Sequence, residues 1–160
     1  MVLRGLLFVL ALVGWSAHAA QWRYQDGVDQ MTGKAESYAV VESDNSLNLS
    51  SPYSGRNHGR LTVRRHPKYG LDVVVSVDKG QILCRAYDGC SVMVRFDDGK
   101  PQRFSAVEPA DYSSESVFLT NRARFISAAK KSKRILVQIP MFREGEQVLE
   151  FAVPVGLVWK

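Results

Sequence analysis

Short runs in which apolar and polar side chains alternate with a period of two recur along most of the chain, and they restrict it to a β-rich fold. Leu61 and Val63 alternate with Thr62 and Arg64, and Val73, Val75 and Val77 with Val74, Ser76 and Asp78. Val92, Val94 and Phe96 alternate with Met93, Arg95 and Asp97, and Ile135, Val137 and Ile139 with Leu136 and Gln138. Leu149, Phe151 and Val153 form a last run against Glu150 and Ala152. Successive side chains of a strand point to opposite faces, so each run offers one face to a core and one to water. Antiparallel sheets suit such half-buried strands. The expectation is a mainly β chain, an antiparallel β-sandwich of about eight short strands. Its core should contain Val73, Val75, Val77, Val92, Val94, Phe96, Phe125, Ile135, Val137, Ile139 and Phe151.

Turn chemistry separates these runs. Asp98-Gly99 marks a hairpin between Phe96 and Phe104, with glycine expected to take a positive φ. Lys79-Gly80 and Glu144-Gly145 offer similar turns, and Ser51-Pro52-Tyr53-Ser54-Gly55 and His66-Pro67 mark loops. One segment changes period. Arg122, Phe125, Ile126 and Ala129 share a helical face behind a candidate N-cap, Asn121. Lys130, Lys131, Lys133 and Arg134 follow, where cations complement a helix dipole. A single packed helix is expected near residues 122–133.

The first residues read as an address. Arg4, the apolar run from Gly5 to Gly14 and the small-x-small triplet Ala17-His18-Ala19 have the order of a secretory signal peptide. A transmembrane span needs roughly 20 apolar residues, more than this run supplies. No cysteine lies near the expected cut, so lipidation there has no acceptor. Residues 1–20 are thus expected to be a cleaved signal peptide and residues 21–160 a single β-rich domain. The expected location is the periplasm or the outside of the cell, without a transmembrane segment in the mature chain.

In that compartment Cys84 and Cys90, the only two cysteines, should form a disulfide. Tyr87-Asp88-Gly89 would form the tip of the hairpin it staples. The spacing is not the C-x-x-C of a redox pair, and a zinc site of the usual cysteine type lacks ligands.

The chain of 160 residues has a formal net charge of +5. Removing Arg4 with the leader leaves 20 Lys and Arg against 16 Asp and Glu, or +4. Ten of the basic residues fall in two stretches that contain no acid. Arg60, Arg64, Arg65 and Lys68 form one, and Arg122, Arg124, Lys130, Lys131, Lys133 and Arg134 the other. If the fold brings them to one side, they make an anion-binding face. Arg64 and Arg95 can instead pair with acids across a sheet. Outside the cytoplasm the partner of such a face is an acidic protein or an anionic envelope component rather than nucleic acid.

Catalytic signatures do not appear. There is no G-x-S-x-G, glycine-rich phosphate loop or H-E-x-x-H. Ser113, Ser114 and Ser116 beside Asp111 have no base in the sequence to activate them, and read as a polar turn. Asp97-Asp98-Gly99 has turn chemistry rather than the ligand spacing of a calcium loop. His58 and His66 lie in loop-rich segments with no metal-spaced cluster nearby in sequence. No catalytic residue, metal ligand or cofactor is therefore expected.

The chain resembles the small exported bacterial proteins of the VasI/TagO type, which are associated with type VI secretion. The matching features are Val92-Met-Val-Arg-Phe-Asp-Asp-Gly-Lys100, Ser113 or Ser114 ahead of Val117-Phe-Leu119, and Phe125 in a helix ending Ala129-Lys-Lys131. The strand Arg134–Ile139, the closing Phe151-Ala-Val-Pro-Val-Gly-Leu157 and the early Asp29-Gln-Met-Thr32 after Trp22 complete the pattern. The family's early and C-terminal cysteines have no counterpart here: His66 follows Arg64-Arg65, and Trp159-Lys160 follows the last motif. The resemblance implies a β fold and a bacterial periplasmic setting, and offers no catalytic set to carry over. Together these readings lead to the expectation of a non-enzymatic periplasmic accessory or binding protein. The alternative is an inhibitor or immunity protein that blocks a cell-wall-acting enzyme.

Overall fold

The structure is a computed structural model that describes residues 21–84 and 89–160. The expected signal peptide and the hairpin-tip residues Tyr87 and Asp88 lie outside the described residues. The chain is mainly β with one helix. In order, the elements are β1 (Arg23–Val28), β2 (Ala35–Ser46), β3 (His58–His66), β4 (Gly70–Val77), β5 (Cys90–Phe96), β6 (Gln102–Val107), β7 (Ser116–Leu119), α1 (Arg122–Ala129), β8 (Arg134–Met141) and β9 (Gly145–Ala152).

The strands form one continuous antiparallel sheet, in the order β1-β2-β3-β4-β7-β6-β5-β8-β9, instead of two stacked sheets. The sheet curls until β2 packs beside β9. Side chains close that seam. Asn45 donates to the carbonyl of Val148 (2.8 Å) and accepts from the amide of Glu150 (2.9 Å), while Asp44 accepts from the amide of Ala152. The β2 backbone bulges at this point, so carboxylate and amide groups replace a regular ladder. Gly59 on β3 is the close approach that permits closure. A Cβ there would lie under 3.0 Å from the Leu149 side chain.

Every expected core residue is buried, from Val73 through Phe151. The alternation works because cross-strand partners keep one parity: Val63 faces Val73, Leu61 faces Val75, and Val75 in turn faces Val117. These side chains fill the inside of the curled sheet, with Phe104, Phe125 and Phe151 among the largest fully buried ones. The helix packs against the end of this core. Phe125 meets Phe96 and Phe104 edge-on, with ring centroids 5.6 and 6.0 Å away, the arrangement favoured by aromatic quadrupoles.

Four local expectations are corrected. The helix ends at Ala129, short of 133, and Asn121 makes no side-chain cap. Its last turn contains no basic residue. The Ser132 hydroxyl instead donates to the Ala128 carbonyl, and the amide of Leu157 donates to that of Ala129 (3.0 Å). Gly156 makes that approach possible, since a Cβ there would lie under 3.0 Å from the Lys130 carbonyl oxygen. In the β5–β6 turn the positive φ falls on Asp97 (48°), not on Gly99. Asp97 tolerates it because its Oδ1 accepts the amides of Lys133 and Arg134, at 2.8 and 2.9 Å.

The disulfide Cys84–Cys90 is present, with Cα atoms 4.6 Å apart. It does not join two paired strands as expected. Ile82 bridges Met141 and Met93 pairs with Gln138, so both flanks of the loop lie along one edge of β8. The disulfide ties these flanks together, with Cys84 just after the Ile82 bridge and Cys90 at the start of β5. Among the described residues no helix is long and apolar enough to cross a membrane.

Candidate functional site

The two basic stretches meet at the helix end of the barrel, through a subset of their members. Arg65 ends the inward-facing side of β3, opposite Ser37 and Leu71. Lys130 follows the last turn of α1. The segment after β9 crosses between them, held by the Leu157 amide on Ala129 and by the Val158 amide, which donates to the Tyr24 hydroxyl (2.9 Å). Arg65 donates to the backbone oxygen of Lys160 (3.0 Å).

Trp159 thereby becomes a partition between two clefts. One, of about 300 Å³, is lined by Arg65, Lys130 and Lys160 together with Leu71 and Ile126. The other, of about 380 Å³, shares Arg65, Trp159 and Lys160 and adds Tyr24, Asp26, Ser37 and Tyr38. The Trp159 indole N–H is buried and has no acceptor among the described residues. Arg65, Lys130 and Lys160 thus line the smaller cleft, and Arg65 and Lys160 also line the larger one, whose walls include Tyr24 and Tyr38 and whose acid is Asp26.

The other candidate basic residues are placed differently. Arg60 is paired with Asp78 and lies 3.9 Å from Glu42. Arg64 makes a cross-strand fork onto the largely buried Asp72, at 2.6 and 3.1 Å, as its position on the polar face led one to expect. Arg95 pairs within its own turn, with Asp98 and the Gly99 carbonyl, rather than across the sheet. Lys68 lies over the Tyr69 ring, and Arg124 lies over Phe104 at 3.9 Å. Arg134 faces Glu150. Arg122, Lys131 and Lys133 are exposed at the two ends of the helix.

A second grouping escaped the sequence. His66, Asp29 and Glu36 converge on the outer face, their nearest ligand atoms all within 4.8 Å of one another. His66 Nε2 lies 3.5 Å from Asp29 Oδ2 and 3.6 Å from Glu36 Oε2. Side-chain and backbone hydrogen bonds from Thr32 hold the Asp29 carboxyl below its usual range. Tyr38 donates to Glu36 Oε2 (3.3 Å), and burial followed by the Glu36 charge pushes its phenol up. His58 is engaged elsewhere, its Nδ1 lying 3.0 Å from the Ser43 carbonyl.

Ser113, Ser114 and Ser116 line a further cleft of about 300 Å³ with Gln81, Glu108, Tyr112 and Phe142. Among the described residues no histidine or lysine lines it, so none of these hydroxyls has such a base among them. Comparison with family models, with curated proteins and with solved structures gives no match.

Proposed function

We propose that this is a non-enzymatic binding protein of the bacterial periplasm, exported by a signal peptide cleaved near Ala20. It recognises an acidic protein or an anionic envelope component through the depression around Trp159. The observation that supports the reading is that Arg65, Lys130 and Lys160 line one cleft together with Trp159, coming from a strand, a helix end and the segment after β9. Like charges that line one cleft repel one another. An anionic partner offsets that repulsion and accelerates encounter. The wall of Trp159 and Tyr24 adds the aromatic surface on which interfaces concentrate their binding energy. The Cys84–Cys90 disulfide fits an oxidising compartment. The resemblance to VasI/TagO-type proteins extends the proposal to an accessory role beside a secretion apparatus.

The test is a photo-crosslinking amino acid at Ala123, on the rim of the smaller cleft, activated in living cells. A discrete crosslinked partner is expected, and Arg65→Glu with Lys130→Glu should remove it. In a pull-down without crosslinking, the same species should dissociate as salt rises above about 0.15 M, where the screening length falls below roughly 8 Å. An unchanged crosslink in the charge-reversed protein would mean that these cations only solvate the surface.

A further inference from the structure

The cluster of His66, Asp29 and Glu36 belongs to neither cleft, and its distances do not suit hydrogen bonding. At 3.5 and 3.6 Å, Nε2 is too far from either carboxylate oxygen for a sound hydrogen bond. They match the separations that a shared cation imposes, and the ligand atoms of the two carboxylates lie within 4.8 Å of each other. A tetrahedral ion with bonds of about 2.0–2.2 Å holds its donor atoms about 3.3–3.6 Å apart. We propose that Asp29 Oδ2, Glu36 Oε2 and His66 Nε2 form a binding site for a zinc-class divalent cation.

The chemistry of the donors selects the ion. One imidazole nitrogen with two carboxylates suits zinc and its first-row neighbours, whereas calcium and magnesium prefer all-oxygen shells. Two carboxylates also neutralise the two charges of the ion. The three side chains retain only 14–23% of their exposure, so they are shielded yet reachable. Three protein ligands leave a further coordination position for water or for a partner's donor.

The surroundings orient the ligands as outer partners do in metal sites. Asp29 Oδ1 is occupied by the Thr32 amide and hydroxyl, both at 2.7 Å, which leaves Oδ2 directed at the cluster. The Tyr38 hydroxyl steers Glu36 Oε2. The Tyr69 ring stacks against the imidazole, with centroids 4.8 Å apart. One rearrangement accompanies loading. Nδ1 of His66 accepts the Lys68 amide at 3.1 Å, and this needs its lone pair. When Nε2 gives its own lone pair to the metal, the imidazole proton resides on Nδ1, and the Lys68 amide turns to water.

Isothermal calorimetry on tag-free, chelator-treated protein tests the site with Zn²⁺ alone. One ion per chain is expected, together with a raised melting temperature, and Ca²⁺ or Mg²⁺ should give no heat. His66→Ala and Asp29→Asn should each weaken binding by more than the roughly 10–100-fold cost of losing an outer partner. His58→Ala should leave it unchanged. Because a triad variant can misfold, the wild-type protein is also followed by NMR, where Zn²⁺ should shift the His66 imidazole resonances and spare those of His58. Absence of Zn²⁺ binding, binding that survives both triad variants, or shifts confined to His58 would each overturn the assignment.

Discussion

Replacing Phe125 by alanine tests the architecture at the point where the helix meets the barrel. The side chain is fully buried, and it contacts Phe96 at 62° and Phe104 at 80°. Emptying an aromatic core site costs about 3–5 kcal/mol, and the upper half of that range is expected here because two edge-to-face pairs vanish together. For a domain of this size about 1 kcal/mol moves the melting temperature by roughly 3–5 °C. A loss of about 12–25 °C should therefore appear by differential scanning calorimetry. Phe142→Ala, at a side chain 40% exposed, should stay within about 0.5 kcal/mol as the control. If Phe125→Ala melts within about 3 °C of the parent, the helix is a surface attachment and the account of the core is wrong.

Four further outcomes follow from the same geometry. Cys84→Ser with Cys90→Ser should cost about 2 kcal/mol in denaturant unfolding, since the closed loop is short. Asp72→Asn should cost about 1–3 kcal/mol because Arg64 then lacks its carboxylate, whereas Glu150→Gln at the exposed Arg134 pair should stay within about 1 kcal/mol. Gly156→Ala should lift the closing segment off the helix, seen as increased Trp159 fluorescence quenching by acrylamide with little loss of barrel stability. Intact mass of envelope-derived protein should give an unmodified N-terminus at Ala20 or Gln21, and recovery of the full-length chain from cytosol would refute export.

The strands were legible because parity is local. Val73, Val75 and Val77 announce a buried face whatever sheet they join. Which strands pair is set by long-range closure, which alternation does not encode. Nothing in the spacing separates a curled sheet from a sandwich, and Gly59 reveals its purpose only once Leu149 lies against it. The helix was legible from Phe125, Ile126 and Ala129, while its early stop depends on a distant amide, that of Leu157. The basic depression was half legible. Arg65 and Lys130 stand in cation-rich stretches, but Arg60 and Arg64 look identical in sequence and are tied to Asp78 and Asp72. Trp159 carried no signal beyond its type. His66 stands alone in the sequence because its companions, Asp29 and Glu36, are gathered by the register of β2 against β1 and β3, not by spacing along the chain.

The seam between β2 and β9 has a kinetic consequence. Elsewhere the barrel is joined by backbone ladders that must break in concert, but here three side-chain contacts from Asp44 and Asn45 stand in for several rungs. Side-chain contacts at exposed positions open without a cooperative partner, so the cylinder has a preferred line of rupture. Amide hydrogen exchange should then be bimodal across this short distance. Glu150 and Ala152 would exchange through local opening, while Val137 and Val75, in the middle of the ladders, would exchange only when the whole domain unfolds.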